Sequence, residues 1–294
     1  MNSYVESFQK YLSFELHYSK RTVNTYQEAL KKYEEFLKMH SISFLHVDIE
    51  FANRYKAYLV KSGYESKTCS LYLSAVRSFY HYLVEIGIVL VNPYAQLRNP
   101  KVVKKLPNFL NQSESEILFQ MKEEKNEIDF RNEFIVEFLY ATGLRVSELC
   151  NIKIADIHFS EQKIRVLGKG NKERIVFYKA CDPNLFQHYY EDVRSKLLNG
   201  LDSDYFLVSK TGKLTVRSVE KIVKEYALKK SIKTKITPHS LRHTFATDLL
   251  NAGADIRSVG EMLGHESLST TQIYTHVTAD RLKEVYQHTH PRSK

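Results

Sequence analysis

Prolines at positions 93, 100 and 107 punctuate a segment without helical periodicity, and this segment divides the chain. Proline lacks an amide hydrogen and fixes φ, so neither a helix interior nor a central strand runs through such a stretch. Lys101, Lys104 and Lys105 also lie there, so residues 92–107 read as an extended basic linker that attracts phosphate whatever the base sequence. The expected domains are then residues 1–91 and 108–294. A chain of 294 residues with 43% hydrophobic side chains has material for two cores.

The N-terminal half carries helical periodicity. Tyr4, Phe8, Leu12 and Leu16 recur at four-residue steps, as do Tyr26 and Leu30, followed by Tyr33 and Leu37. A third run covers Phe51 to Leu59, and a fourth covers Lys67 to Val84 with Leu71, Ala75, Phe79 and Leu83 on one side. Four such helices make a small bundle. Ser19-Lys20-Arg21-Thr22 opens the second; its hydroxyls read as helix caps, while Lys20 and Arg21 at a helix start are also suited to phosphate. On the fourth, Lys67, Ser70, Ser74, Arg77 and His81 form a polar, mostly basic stripe that fits either a solvated face or one entering a major groove.

Charge points to a polyanionic partner. The formal net charge is +9, and residues 1–105 alone hold 15 Lys and Arg against 9 Asp and Glu. Cys69, Cys150 and Cys181 are odd in number and lack Cys-x-x-Cys spacing, which speaks against a disulfide framework or a zinc ribbon and for a reducing cytoplasm. The longest apolar stretch, Ile86 to Val91, is far too short to span a bilayer, and the N-terminus mixes charges with aromatics, so a cytoplasmic protein without a membrane partner is expected.

Beyond the linker, helices are expected from Ser113 and from Asn126 to Ala141, then strands around Lys163–Leu167 and Arg174–Phe177 joined by the turn Gly168-Lys169-Gly170-Asn171-Lys172. A short strand is read at Tyr205–Val208, and helices resume over Thr215–Lys229 and from His239 onward. The fold class is therefore mainly α with a small β-sheet.

Four words in this half carry chemistry: Ala141-Thr142-Gly143-Leu144-Arg145-Val146-Ser147-Glu148-Leu149, the Lys169 turn, Pro238-His239-Ser240-Leu241-Arg242-His243-Thr244-Phe245-Ala246-Thr247, and Leu263-Gly264-His265 with Thr270-Thr271-Gln272-Ile273-Tyr274-Thr275-His276. Singly they are weak. An arginine after a glycine turn is commonly a surface ion pair, and 20 tyrosines favour no single one as nucleophile. Order and spacing decide the matter.

Arg145, Lys169, His239-x-x-Arg242, His265 and Tyr274 together resemble the active site of the tyrosine recombinases, whose pattern is Arg, Lys, His-x-x-Arg, His or Trp, and Tyr. The flanking words look particularly like the Xer branch, bacterial recombinases that resolve chromosome dimers. In the first half, the Ser19-x-x-Thr22-x-x-x-Tyr26 helix start and the four-helix plan are similar too. The resemblance implies an N-terminal four-helix core-binding (SAM-like) domain and a C-terminal mixed α/β catalytic domain ending in an exchange helix.

It also implies a chemistry for which the residue types are suited. Tyr274 would attack the scissile phosphorus and leave a 3′-phosphotyrosyl link, Arg145 and Arg242 would clamp the phosphate oxygens, and Lys169 would protonate the departing 5′ oxygen. His239 would accept the phenolic proton and His265 would donate a hydrogen bond to the phosphate. Glu148, one turn after Arg145, reads equally as a support for that arginine or as a surface ion pair. His243 and His276 stand outside the motif and read as structural or solvated.

No cofactor is implied, and His239 and His265 lack the spacing of metal ligands. The implied partners are double-stranded DNA at specific sites, three further protomers of this chain or a paralogue in a tetramer on two sites, and a DNA translocase as activator, all at the nucleoid. Three rival functions share parts of the pattern. A mobile-element integrase has the same chemistry, often with an extra N-terminal domain for which a first helix near Asn2 leaves no room. A non-cutting architectural or regulatory DNA-binding protein predicts erosion of the catalytic set, which is intact here. A type IB topoisomerase would need no exchange helix.

Overall fold

The computed structural model describes residues 1–101, 110, 112–120, 126–168, 172–264 and 276–292. The chain forms two compact units, Met1–Lys105 and Leu106–Lys294. The first is built from α1 (Asn2–Lys10), α2 (Lys20–Met39), α3 (Ile49–Lys61) and α4 (Ser66–Glu85), with a single π-helical turn, Tyr11–Glu15, continuing α1. Caps set two of the starts: the Thr22 amide donates to Ser19 Oγ at 3.2 Å and the Phe51 amide to Asp48 Oδ1 at 2.7 Å.

Its core is rich in aromatics. Phe8, Tyr33, Phe36, Tyr55, Phe79 and Tyr80 are all buried, and the Tyr80 hydroxyl donates to the Phe44 carbonyl at 2.8 Å. The inner face of α4 runs through Cys69, Leu73, Val76, Tyr80 and Leu83, whereas Leu71, expected on that face, is 38% exposed. Packing of Phe79 on Phe8 and of Tyr80 on Tyr94 fixes the rotation of the helix and turns Leu71 outward.

Residues 94–99 belong to this unit as well. Tyr94 is fully buried and Leu97 is 7% exposed, although both fall in the segment read from sequence as an extended linker. Arg77 ties them down: its guanidinium donates to the carbonyls of Tyr94 (2.9 Å) and Leu97 (2.6 Å) and to Asn99 Oδ1 (3.1 Å).

The second unit contains α5 (Gln112–Phe119), α6 (Glu127–Thr142), the short α7 (Val146–Leu149), and strands β1 (Ile157–His158), β2 (Lys163–Leu167) and β3 (Glu173–Phe177) in an antiparallel sheet of that order. There follow α8 (Pro183–His188), α9 (Arg194–Leu198), a ribbon of β4 (Val208–Ser209) and β5 (Gly212–Lys213), and helices α10 (Val216–Lys229), α11 (Pro238–Asn251), α12 (Ile256–Leu263) and α13 (His276–Thr289). Every residue of α6 from Glu133 to Thr142 is buried, and α10 and α11 lie against it. It is the central element.

The C-terminal segment packs on its own unit. Tyr286 of α13 donates its hydroxyl proton to the Ala141 carbonyl at 2.8 Å and accepts from the Ala180 amide at 3.1 Å. His290 is fully buried among the rings of Tyr140, Phe245 and Tyr286. Arg292 pairs with Glu137 at 3.1 Å. Among the described residues no helix is long and apolar enough to cross a membrane.

Candidate active site

The end of α6 sets the geometry. Gly143 terminates the helix in the left-handed conformation, φ 60°, and the chain turns at once into Arg145, the N-cap of α7. The Arg145 amide donates to Glu148 Oε2 and its Nη1 to Glu148 Oε1, both at 2.8 Å, so one carboxylate caps the helix and orients the guanidinium. Arg242 reaches the same place from α11, which starts on reciprocal Thr237–Ser240 bonds with proline at its first position. Its Nη1 donates to the Gly143 carbonyl at 2.6 Å.

A third arginine completes the arrangement. Arg174 of β3 is buried and forms a bidentate pair with Glu148, Nη1 to Oε1 and Nη2 to Oε2 at 2.8 Å each. The three guanidiniums then converge on the C-terminus of α12. Arg174 Nε donates to the Met262 carbonyl (3.1 Å), Arg242 Nη2 to the Leu263 carbonyl, and Arg145 Nη2 to the Gly264 carbonyl (2.9 Å). Terminal carbonyls lack helical partners and carry the negative end of the helix dipole, which suits cations.

Electrostatics follows from this packing. Burial would raise the Glu148 carboxyl, but the bonds and charge of Arg174 and the bonds from Arg145 outweigh it and hold the group below its ordinary value. Burial pulls the Arg242 guanidinium down to about 9, helped by the charges of Arg145 and Arg174 and opposed by Glu148. It stays protonated at neutral pH. Three cations and one carboxylate leave the cluster positive, and Arg145, with 35% of its side chain exposed, presents that charge to solvent.

His239 is exposed on the first turn of α11, one turn before Arg242. Lys169, His265 and Tyr274 lie outside the described residues, but the glycines leading into two of them do not. The Gly168 amide donates to the Lys172 carbonyl at 2.8 Å and closes the β2–β3 hairpin, and Gly264 ends α12. Of the candidate DNA contacts, Lys20, Arg21, Lys67 and Lys101 are exposed, Arg77 is engaged as described above, and Lys104 and Lys105 lie outside the described residues. Sequence reasoning missed Arg174. The available signal was register, since Arg174 pairs with Val166 and so points to the inner side of the sheet. Glu148 is 4% exposed, which removes the surface-pair reading.

Comparison with known proteins bears on this geometry. Residues 108–281 match the phage integrase family, and residues 5–87 match the phage integrase N-terminal SAM-like domain. This chain belongs to the phage integrase family. The recombinase is 42% identical over 298 residues to the tyrosine recombinase XerC of Halalkalibacterium halodurans, covering 99% of this chain and 98% of that one. To the tyrosine recombinase XerC of Staphylococcus aureus it is 38% identical, covering 100% of this chain and 98% of that one. It is a site-specific tyrosine recombinase of the Xer branch.

Solved structures share the fold. The XerH site-specific recombinase bound to palindromic difH substrate is 24% identical with a TM-score of 0.73, covering 98% of this chain and 84% of that one. A lambda integrase dimer bound to a core site is 17% identical with a TM-score of 0.70, covering 94% and 99%. The recombinase is thus mainly helical with small sheets, an N-terminal SAM-like domain and a C-terminal mixed α/β catalytic domain, the class read from its sequence.

Proposed function

We propose that this recombinase cuts and rejoins duplex DNA at specific sites through a 3′-phosphotyrosyl link on Tyr274, without metal or ATP, and that its task is to resolve chromosome dimers. The supporting observation is the convergence of Arg145 and Arg242 on the consecutive carbonyls of Gly264 and Leu263, at the start of the stretch that carries His265 and Tyr274. Two guanidiniums so placed match the non-bridging oxygens of one phosphodiester and neutralise charge that develops on them. That is the service a metal ion performs in other phosphoryl-transfer sites.

In the proposed sequence the Tyr274 Oη bonds to phosphorus while its proton passes to His239. The bond from phosphorus to the 5′ oxygen breaks, and Lys169 protonates that oxygen. His265 donates a hydrogen bond to the phosphate. The phosphotyrosyl ester keeps the energy of the original bond, so a 5′-hydroxyl from a second duplex reverses the step without ATP. Exposed Lys20, Arg21, Lys67 and Lys101, together with Lys104 and Lys105, would supply phosphate contacts, and Arg77 would join them through whatever donor capacity its bonds within the first unit leave.

Full-length similarity to XerC proteins favours dimer resolution over integration of a mobile element. The XerH neighbour is bound to its DNA substrate, and a lambda integrase neighbour is a tetramer bound to a Holliday junction. By analogy this recombinase would act at the nucleoid as a tetramer on two sites, with itself or a paralogue, under a DNA translocase. The test incubates it in EDTA with nicked suicide duplexes carrying a site selected by binding. A covalent adduct with wild type and none with Tyr274→Phe is the expected result. An adduct in the variant, or loss of cleavage in EDTA, overturns the assignment.

A further inference from the structure

We propose that Arg174 is a positioning residue for the phosphate site, one that leaves the charge of Arg145 available to the scissile phosphate. The inference rests on the recombinase chemistry proposed above. Arg174 is itself 4% exposed, so its effect is exerted through its neighbours. Its bidentate bond occupies both oxygens of Glu148, the same carboxylate that holds Arg145. With Arg174 present, the carboxylate charge is matched by a buried partner, and Arg145 remains an uncompensated cation. Without it, Glu148 and Arg145 become a closed ion pair, and of the two guanidiniums expected at the phosphate only Arg242 keeps an unmatched charge.

A second relationship concerns the segments on either side. The Arg174 side chain lies against both glycines that precede expected catalytic residues: a Cβ on Gly264 would meet it at 3.3 Å and one on Gly168 at 3.4 Å. Gly264 leads into His265 and Gly168 into Lys169. The bond from Nε to the Met262 carbonyl adds a fixed point on α12. One side chain therefore spans the β2–β3 hairpin, the carboxylate that orients Arg145 and the helix end before His265. Glycine at 168 and 264 lets these backbones approach it closely.

The experiment compares wild type and Arg174→Met for DNA binding, thermal melting and the single-turnover rate of adduct formation on two suicide duplexes. One carries the normal phosphodiester; the other carries a methylphosphonate at the scissile position, which has no anionic oxygen to neutralise. The variant is expected to bind DNA as wild type does, to cleave the phosphodiester about a hundredfold more slowly, and to show less than about a tenfold deficit on the methylphosphonate. A second expected result is that Glu148→Gln combined with Arg174→Met cleaves faster than Arg174→Met alone, because the carboxylate no longer captures Arg145.

Equal deficits on both substrates, or an unchanged rate on the phosphodiester, overturn the proposal. If Arg174→Met shows no cooperative melting, Arg174→Gln replaces it. That variant removes the charge but keeps an amide that can donate to Glu148, and the same contrast between substrates is required of it. Absence of an adduct with wild type would instead overturn the recombinase chemistry, so the two failures are distinguishable.

Discussion

The ring of Phe245 occupies the space that a side chain on Gly143 would need: a Cβ built there lies 2.5 Å from the nearest ring carbon. Because Gly143 also has φ 60°, it combines a backbone conformation that disfavours other residues with a close helix approach. Gly143→Ala is expected to cost about 2–4 kcal/mol, from left-handed strain plus overpacking against α11. Gly253→Ala, at φ 93° with nothing near its Cβ, carries the strain alone and is expected to cost about 1 kcal/mol. Chemical denaturation of the two variants measures the difference, and adduct formation by Gly143→Ala reports the displacement of Arg242, which is bonded to that residue's carbonyl.

Glu148 is expected to matter for stability, because its charge is the partner of a buried cation. Glu148→Gln leaves the buried Arg174 guanidinium without its anion, which costs about 3–5 kcal/mol and lowers the melting temperature. Its folded pKa lies below the unfolded value, so the stabilisation it gives is fully present above the ordinary carboxylate value of 4.5 and is lost as pH falls through the folded value. A loss of wild-type adduct formation between pH 6 and 5, should a pH profile show one, must then arise elsewhere in the site.

The docking of α13 is expected to weaken in mild acid. Burial among aromatic rings brings His290 down to about 4 from 6.5, with Arg292 adding to the shift and a bond involving the Tyr140 backbone opposing it. An undocked segment binds the proton first as pH falls. The contribution of this histidine is thus complete above about pH 6.5 and declines toward pH 4, with a loss on the order of 1 kcal/mol by pH 5.5. Hydrogen exchange of α13 amides at pH 7.5 and 5.5 measures it, and His290→Phe is expected to abolish the pH dependence.

Basic residues of the first unit are expected to separate into two groups. Lys20→Glu with Arg21→Glu, both exposed, should weaken DNA binding and reduce the slope of log affinity against log salt by about 2. Arg77→Ala should chiefly lower the melting temperature of the protein, because its guanidinium holds the backbone of Tyr94 and Leu97. Salt titrations of binding, paired with thermal melting, distinguish the two outcomes.

What was legible in the sequence was local. The helix start announced by Ser19-Lys20-Arg21-Thr22 begins where its cap places it, and β2 spans the Lys163–Leu167 stretch read as a strand. The motif words are local as well, which is why Arg145, His239 and Arg242 stand out as candidates from their neighbours. Long-range facts were hidden. Tyr94 and Leu97 look like linker because the prolines beside them are visible, while the Arg77 bonds that fold them inward join residues 17 and 20 positions apart. The helices at Pro183–Leu198 went unread, although Asp182 before Pro183 is a helix-start signal. Arg174 was invisible because a charged residue on a short strand suggests an outer face, and only pairing with Val166 shows otherwise.

The three arginines on the carbonyls of Met262, Leu263 and Gly264 have one more consequence. Gathering like charges is the unfavourable part of building a receptor for an anion, and here folding accomplishes it. The helix-end carbonyls offset part of that repulsion, each accepting a bond from one guanidinium. Under the proposed chemistry a phosphate would meet guanidiniums already gathered, and DNA binding energy would not be spent on bringing them together.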